Sequence, residues 1–277
     1  MLIFLPGLLV ACSSAQTGIF SAGNRNLYIH CEGDRHGSAV IFESGAGRDS
    51  SDWIKVQPEV AHFTQVCTYD REGLGKSTVD GVRDPEGESA DERCADLHNL
   101  LASAHIPPPY ILVGHSGGGI LVRRFTRNYT TEVAGMVLVD SSHEEQIWRF
   151  RAIDPDSIAG PPADPVKARR GGMLPTPGER LAWHYDIPLI VLEHGRPFKF
   201  EGSMAAHAAE FNAAMDAMAK DLASRSSKGQ LRIAPQSGHY IMLDQPDLVI
   251  QAIRDVWLQC MRSSDSATPG FQGNPAK

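Results

Sequence analysis

Gly114-His115-Ser116-Gly117-Gly118 sets a serine between glycines two residues away on either side, a G-x-S-x-G spacing. An apolar run ending at Val113 precedes it and an amphipathic stretch over 120–129 follows, so the order is strand, sharp turn, helix. The glycines admit a strained turn that lifts a hydroxyl above the sheet edge at a helix N-terminus, where partial positive charge favours a developing anion. Ser116 is therefore the candidate nucleophile. A glycine-rich turn with an incidental serine has the same five letters, and only the flanking strand and helix argue against it.

A serine hydroxyl needs a base to take its proton and donors to receive the charge that develops on the attacked carbonyl. Two other stretches offer these. Ser237-Gly238-His239-Tyr240 follows the last apolar strand, 231–234, on a loop from which an imidazole can reach back over the sheet edge. His239 is the candidate base, singled out by its place in the order, because a lone loop histidine is more often a surface residue. Ser44-Gly45-Ala46-Gly47 ends the buried strand 39–43, and such a loop can turn a backbone N–H toward the nucleophile, although Gly-Ala-Gly is also an ordinary tight turn.

The other elements must hold these sites at one sheet edge. Alternation over 26–31 predicts an early antiparallel strand, and apolar runs at 65–69, 135–139 and 187–192 predict buried ones. Helices are predicted over 52–62, 89–104, 204–223 and 245–260, and their alternation with strands implies a parallel sheet. Gly75-Lys76-Ser77 invites a phosphate-loop reading, but that motif needs a glycine five residues before Gly75, where Asp70 stands. Nucleotide binding is rejected, and Asp70 and Arg71 are expected to pin the loop. Between 153 and 179 the composition shifts to Pro, Gly, Ala, Asp and Arg, the place for a small lid. Trp148, Phe150, Trp183 and Tyr185 suggest an apolar acyl or alcohol pocket beneath it.

With 277 residues, 42% hydrophobic and 21% charged, the chain is long enough to bury one sizeable α/β core. A net charge of -7 without a basic block argues against nucleic acid as a partner. Residues 1–15 are apolar and then small, too short to span a bilayer, and look like the end of a secretory signal. Leu9-Val10-Ala11-Cys12 resembles a lipobox that would leave Cys12 lipidated and membrane-attached, with Ser13-Ser14-Ala15 as an ordinary cleavage site the alternative. Export to a bacterial periplasm or envelope is the expectation, with a cytoplasmic enzyme as the alternative. The five cysteines show no C-x-x-C pair and no zinc spacing, so neither metal nor cofactor is expected. In an exported chain Cys31, Cys67, Cys94 and Cys260 would form one or two disulfides among three pairings, with buried free thiols as the alternative.

Glu43-Ser44-Gly45-Ala46-Gly47, the run from Tyr69 to Ser77, the serine turn, Val139-Asp140 and Ser237-Gly238-His239 occur in an order that resembles the α/β-hydrolase superfamily over residues 25–262. The resemblance implies an α/β-hydrolase fold, a mostly parallel central sheet flanked by helices with a short lid insertion. The expected layout is a signal-like segment 1–20, a domain 21–262 with its lid at about 142–185, and a flexible tail 263–277. It implies Ser116 as nucleophile, His239 as base, and the backbone N–H groups of Ala46 and Gly117 as the oxyanion hole. The acid departs from the common pattern. In many relatives an aspartate stands three residues past a glycine after the strand 187–192, and here that position is Phe198. Other relatives place the acid after the preceding strand, which gives Asp140, with Glu193 the first alternative and Glu144 or Glu201 behind it. A serine at the turn argues against the dehalogenase and epoxide-hydrolase branches. The expected activity is that of a carboxylesterase acting on small or medium esters. The alternatives are an amidase, peptidase or carbon–carbon hydrolase on the same fold, or a non-catalytic small-ligand binder.

Overall fold

Strands that are apolar at every position have no solvent face and are stable only between two layers of helix. The computed structural model describes residues 16–77, 89–157 and 184–266, and these form that sandwich. The strands are β1 Thr17–Ser21, β2 Asn26–Glu32, β3 Ala39–Glu43, β4 Val66–Tyr69, β5 Tyr110–His115, β6 Val133–Val139, β7 Leu189–His194 and β8 Gly229–Ala234. They make one sheet in the order β1-β2-β4-β3-β5-β6-β7-β8. β2 pairs antiparallel with both β1 and β4, and every pairing from β4 to β8 is parallel.

The helices are α1 Gln57–Ala61, α2 Ala90–Ser103, α3 Gly117–Asn128, α4 Gln146–Ile153, α5 Ala208–Ser224, α6 Ile241–Asp244 and α7 Pro246–Ser266. Side chains alternate across the sheet. Ile41, Leu112, Leu138 and Val191 pack with Leu97 and Leu101 of α2, Phe125 of α3 and Leu222 of α5. Val40, Phe42, Val113, Val139 and Leu192 face Trp53, Val60 and the α7 residues Val249, Ile253 and Val256. A satellite cluster of Phe150, Phe211 and Met218 docks α4 onto α5.

Four boundaries differ from the sequence reading. β1 overlaps the end of the segment assigned to a signal, because alternating exposure and Gly18 mask a five-residue edge strand. The helix expected over 52–62 is broken into a 3₁₀ turn Ser50–Trp53 and the short α1, since Trp53 is buried by stacking on Phe42 and Pro58 restarts the helix at its first turn. α3 begins immediately after Ser116, earlier than its apolar periodicity shows. α7 runs on to Ser266, past the expected tail boundary, with Ser263 Oγ donating to Gln259 O at 3.0 Å. α2 begins as its sequence indicates, on a capping box in which Ser89 and Glu92 exchange hydrogen bonds. Cys12 and most of the expected lid, residues 158–183, lie outside the described residues.

Of the pairings left open, the structure contains Cys31–Cys67, which joins directly opposed residues of β2 and β4, while Cys94 and Cys260 are free thiols. A cross-link of this loop length is worth about 2–4 kcal/mol. The Cys31→Ser/Cys67→Ser variant is expected to lose roughly that much stability in urea unfolding, and alkylation mapping without reductant should leave both cysteines of the native chain unlabelled.

Candidate active site

The end of β5 and the start of α3 leave one residue for the turn, and Ser116 takes it at φ 51°, ψ -124°. Few non-glycine residues adopt positive φ, and the conformation persists only where its surroundings fix it. Here Ser116 N donates to Val139 O at 3.2 Å, and Ser116 O accepts from Gly119 N and Ser142 N, both at 3.0 Å. The glycines around it are needed for contact as well as for the turn. A Cβ on Gly118 would lie 2.5 Å from Ser44 O, and one on Gly45 would lie 3.3 Å from Ser116 Cβ. The serine turn and the loop after β3 are thereby pressed together.

That loop is held from β4. Arg71 forms an ion pair with the buried Glu43 and donates to Ser44 O at 2.8 Å and to the carbonyl of Gly45. Burial works against the guanidinium charge, but Glu43 outweighs it and raises Arg71 above its ordinary value. Because a trans peptide sets its C=O and N–H antiparallel, committing the Gly45 carbonyl to Arg71 points the Ala46 N–H the opposite way. Gly117 N–H stands in the first turn of α3, where backbone donors have no partner within the helix. Asp70 fixes the far side of the loop, accepting from Ser50 N and Lys76 N at 2.8 Å each.

Asp140 ends β6 at φ 43° and is buried. Its Oδ2 lies 2.6 Å from His239 Nδ1, and its Oδ1 lies 2.7 Å from His194 Nδ1 and accepts the His194 backbone N–H at 3.1 Å. An ionised carboxylate only accepts, so both rings donate from Nδ1. Burial would raise the Asp140 carboxyl, but the bonds from His194 and His239 outweigh it and hold the group below its usual range. His194 is shifted the other way. Burial lowers it, and the bond to Asp140 more than compensates, leaving it above its ordinary value.

Ser116, Asp140 and His239 share the lining of one cavity of about 190 Å³ with Ser141, Ser142, Glu193, His194 and residues of α5. None of the alternative acids takes the place of Asp140 at His239. Glu144 is clamped between Arg123 and Arg225 at 2.7 and 3.0 Å, and Glu201 is exposed before a 3₁₀ turn. Glu193 faces α5 beside Asp216. Phe198, at the position many relatives give to the acid, packs its ring 4.7 Å from His194 and 5.7 Å from His239. The expected aromatic pocket is not formed by the described residues named for it. Trp148 is exposed, Phe150 packs on Phe211, Tyr185 bridges to Ser226, and Trp183 lies outside the described residues. Those rings fasten α4 and the strand leading to β7, and the cavity walls mix polar groups with Phe198, Met215 and Met218. Arg71 was expected to pin its own turn, and its reach to the loop after β3 was missed from sequence together with His194, because neither residue carries a marker of what it touches. Among the described residues no group of three or more His, Cys, Asp or Glu side chains is arranged to hold a metal ion.

His115, inside the serine turn, meets His239 O through Nε2 at 3.0 Å, and burial with the neighbouring His239 drops it to about 4 from 6.5. A histidine depressed in the folded state leaves stability intact above its unfolded value and removes it as pH falls between the two values. That window is pH 6.5 to about 4, and the loss is roughly 3 kcal/mol. Chemical denaturation across this window should show the loss in the native chain and a flatter profile in His115→Asn.

Comparison with known proteins agrees with this architecture. Residues 40–252, more than half the chain, match the model of the Alpha/beta hydrolase family. The uncharacterized protein YqjL of Bacillus subtilis (strain 168) is 28% identical over 231 residues, covering 80% of this chain and 84% of YqjL. The (lyso)-N-acylphosphatidylethanolamine lipase of Mus musculus is 32% identical over 126 residues, which is 44% of this chain and 34% of the lipase. Among solved structures, the meta-cleavage product hydrolase CumD of Pseudomonas fluorescens IP01 superposes with a TM-score of 0.64 at 15% identity, covering 88% of this chain and 98% of CumD. From sheet order, serine turn and family match together, the chain belongs to the alpha/beta hydrolase family.

Proposed function

We propose that the chain is a serine hydrolase, a carboxylesterase that acts on small esters through an acyl-enzyme. The observation that carries this reading is the 2.6 Å contact between Asp140 Oδ2 and His239 Nδ1 in a cavity shared with Ser116. With Nδ1 committed to Asp140, the His239 ring can accept a proton only at Nε2. That nitrogen takes the Ser116 proton as Oγ bonds to the ester carbonyl carbon, and the negative charge forming on the carbonyl oxygen is received by the Ala46 and Gly117 N–H groups. Collapse of this intermediate breaks the bond to the alcohol, which leaves with the proton from His239. Water repeats the sequence to free the acid and restore the serine. Asp140 stabilises the imidazolium formed in each half. The second imidazole on Asp140, His194, keeps the carboxylate oriented while His239 changes charge.

The cavity volume supports short acyl groups. About 190 Å³ is below the roughly 300 Å³ at which drug-sized ligand pockets begin. The Cys31–Cys67 disulfide supports export to an oxidising compartment, where such links persist. Attachment through Cys12 remains part of this proposal.

Hydrolysis of p-nitrophenyl acetate, butanoate and decanoate tests the reading. Expected kcat/KM is highest for the two short chains. Ser116→Ala should lose at least about a thousandfold in kcat, and Asp140→Asn should fall far below Glu193→Gln on the same ester. Equal rates in the native chain and Ser116→Ala would refute the serine mechanism, and a ligand-binding role would replace it.

A further inference from the structure

The cavity beside Ser116 contains a carboxyl group that the proposed reaction does not use. Val191 packs into the core that includes Leu222 of α5, and strand alternation places Glu193, two residues on, toward the same helix. Glu193 is 4% exposed and lines the cavity together with Met215 and Met218 of α5. Its Oε1 is buried without a hydrogen-bond partner. Buried acceptors are nearly always satisfied, so an orphaned one at a cavity wall marks a place for a donor from outside the chain. The groups that act on the carboxyl are Asp216, with which it shares a hydrogen bond that leaves Oε1 unmatched, the Asp140 carboxylate and, with opposite sign, His194. This end of the cavity therefore favours a donor and disfavours an anion.

Taking Ser116 as the nucleophile, we propose that Glu193 forms a specificity subsite, accepting a hydrogen bond from a hydroxyl or ammonium substituent on the short acyl chain held in this cavity. Leaving a buried polar partner unpaired is what makes such a site selective, because an apolar isostere strands the carboxyl while a donor satisfies it. Walls that mix apolar side chains with Glu193 and His194 fit a short acyl chain bearing one polar substituent. Burial and the adjoining Asp216 push Glu193 up to about 7, so an ammonium substituent gains as pH rises from about 6 to 8 and the carboxyl ionises, while a hydroxyl is accepted in either form.

The test uses three esters of nearly equal shape: ethyl 3-methylbutanoate, ethyl 3-hydroxybutanoate and ethyl 3-aminobutanoate. The native chain should favour the hydroxy and amino esters over the methyl ester by about ten- to a hundredfold in kcat/KM. Glu193→Gln keeps an acceptor without the charge, so it should retain the hydroxy preference and lose the amino preference, and Glu193→Leu should lose both. The same esters titrated into Ser116→Ala by NMR read the subsite without turnover and should bind in the same order. If that order is found while the native chain hydrolyses none of them, the subsite stands and the esterase reading falls. If the native chain and Glu193→Leu show the same ratios, in turnover and in binding, Glu193 is satisfied by water only and the subsite is overturned.

Discussion

Two neighbouring strand ends leave the sheet at positive φ, Ser116 after β5 and Asp140 after β6, and the site depends on their being stitched to each other. Each such residue costs of order 1–3 kcal/mol in isolation. Hydrogen bonds from Ser116 N to Val139 O and from Ser142 N to Ser116 O make the two turns one unit, and Asp140 N adds a bond to Leu192 O on the third strand. The parallel register of β5, β6 and β7 is therefore expressed directly in where the serine and the aspartate stand. A shift of one residue between β5 and β6 would separate them by more than a hydrogen bond can span.

Buried charge fastens the surroundings. Arg123 of α3, 1% exposed, donates to Glu144 Oε1, to Ser141 Oγ and to Ser142 O, while Arg225 reaches the other Glu144 oxygen from the end of α5. Burial works to raise Glu144, but the two guanidinium groups overcome it and carry the carboxyl down to about 2. The attraction in such a network is offset by desolvation, so its effect on net stability is modest. Its effect on geometry is large, because the segment after Asp140 has no strand to hold it and is tied instead to α3, the helix that follows Ser116. The chain thus spends polar groups on position where apolar packing would have left the loop free to choose among rotamers and backbone turns.

Much of this was legible in the residue order, and the illegible part has physical reasons. The serine turn, the α2 cap and the buried strands are local patterns, readable because the period of hydrophobicity and the special backbone residues lie within a few positions. The contact of Asp140 with His239 was reachable only through family order, since the two stand 99 residues apart. Arg71, His194 and the pairing of Cys31 with Cys67 depend on sheet register, which no stretch of sequence states by itself. The short edge strand β1 and the broken helix around Trp53 show the other limit. There tertiary contacts, the pairing of β1 with β2 and the stacking of Trp53 on Phe42, overrode weak local signals.

The disulfide also decides how the molecule carries load. A pull on the N-terminus reaches the edge strand β1 first, then β2, and at Cys31 it passes through the sulfur bridge to Cys67 on β4. The intervening residues, including β3 and the loop through Ala46, form a closed loop off that line and bear no tension. A tether at the front of the chain can therefore strain the edge of the sheet while the loop through Ala46 lies off the covalent line.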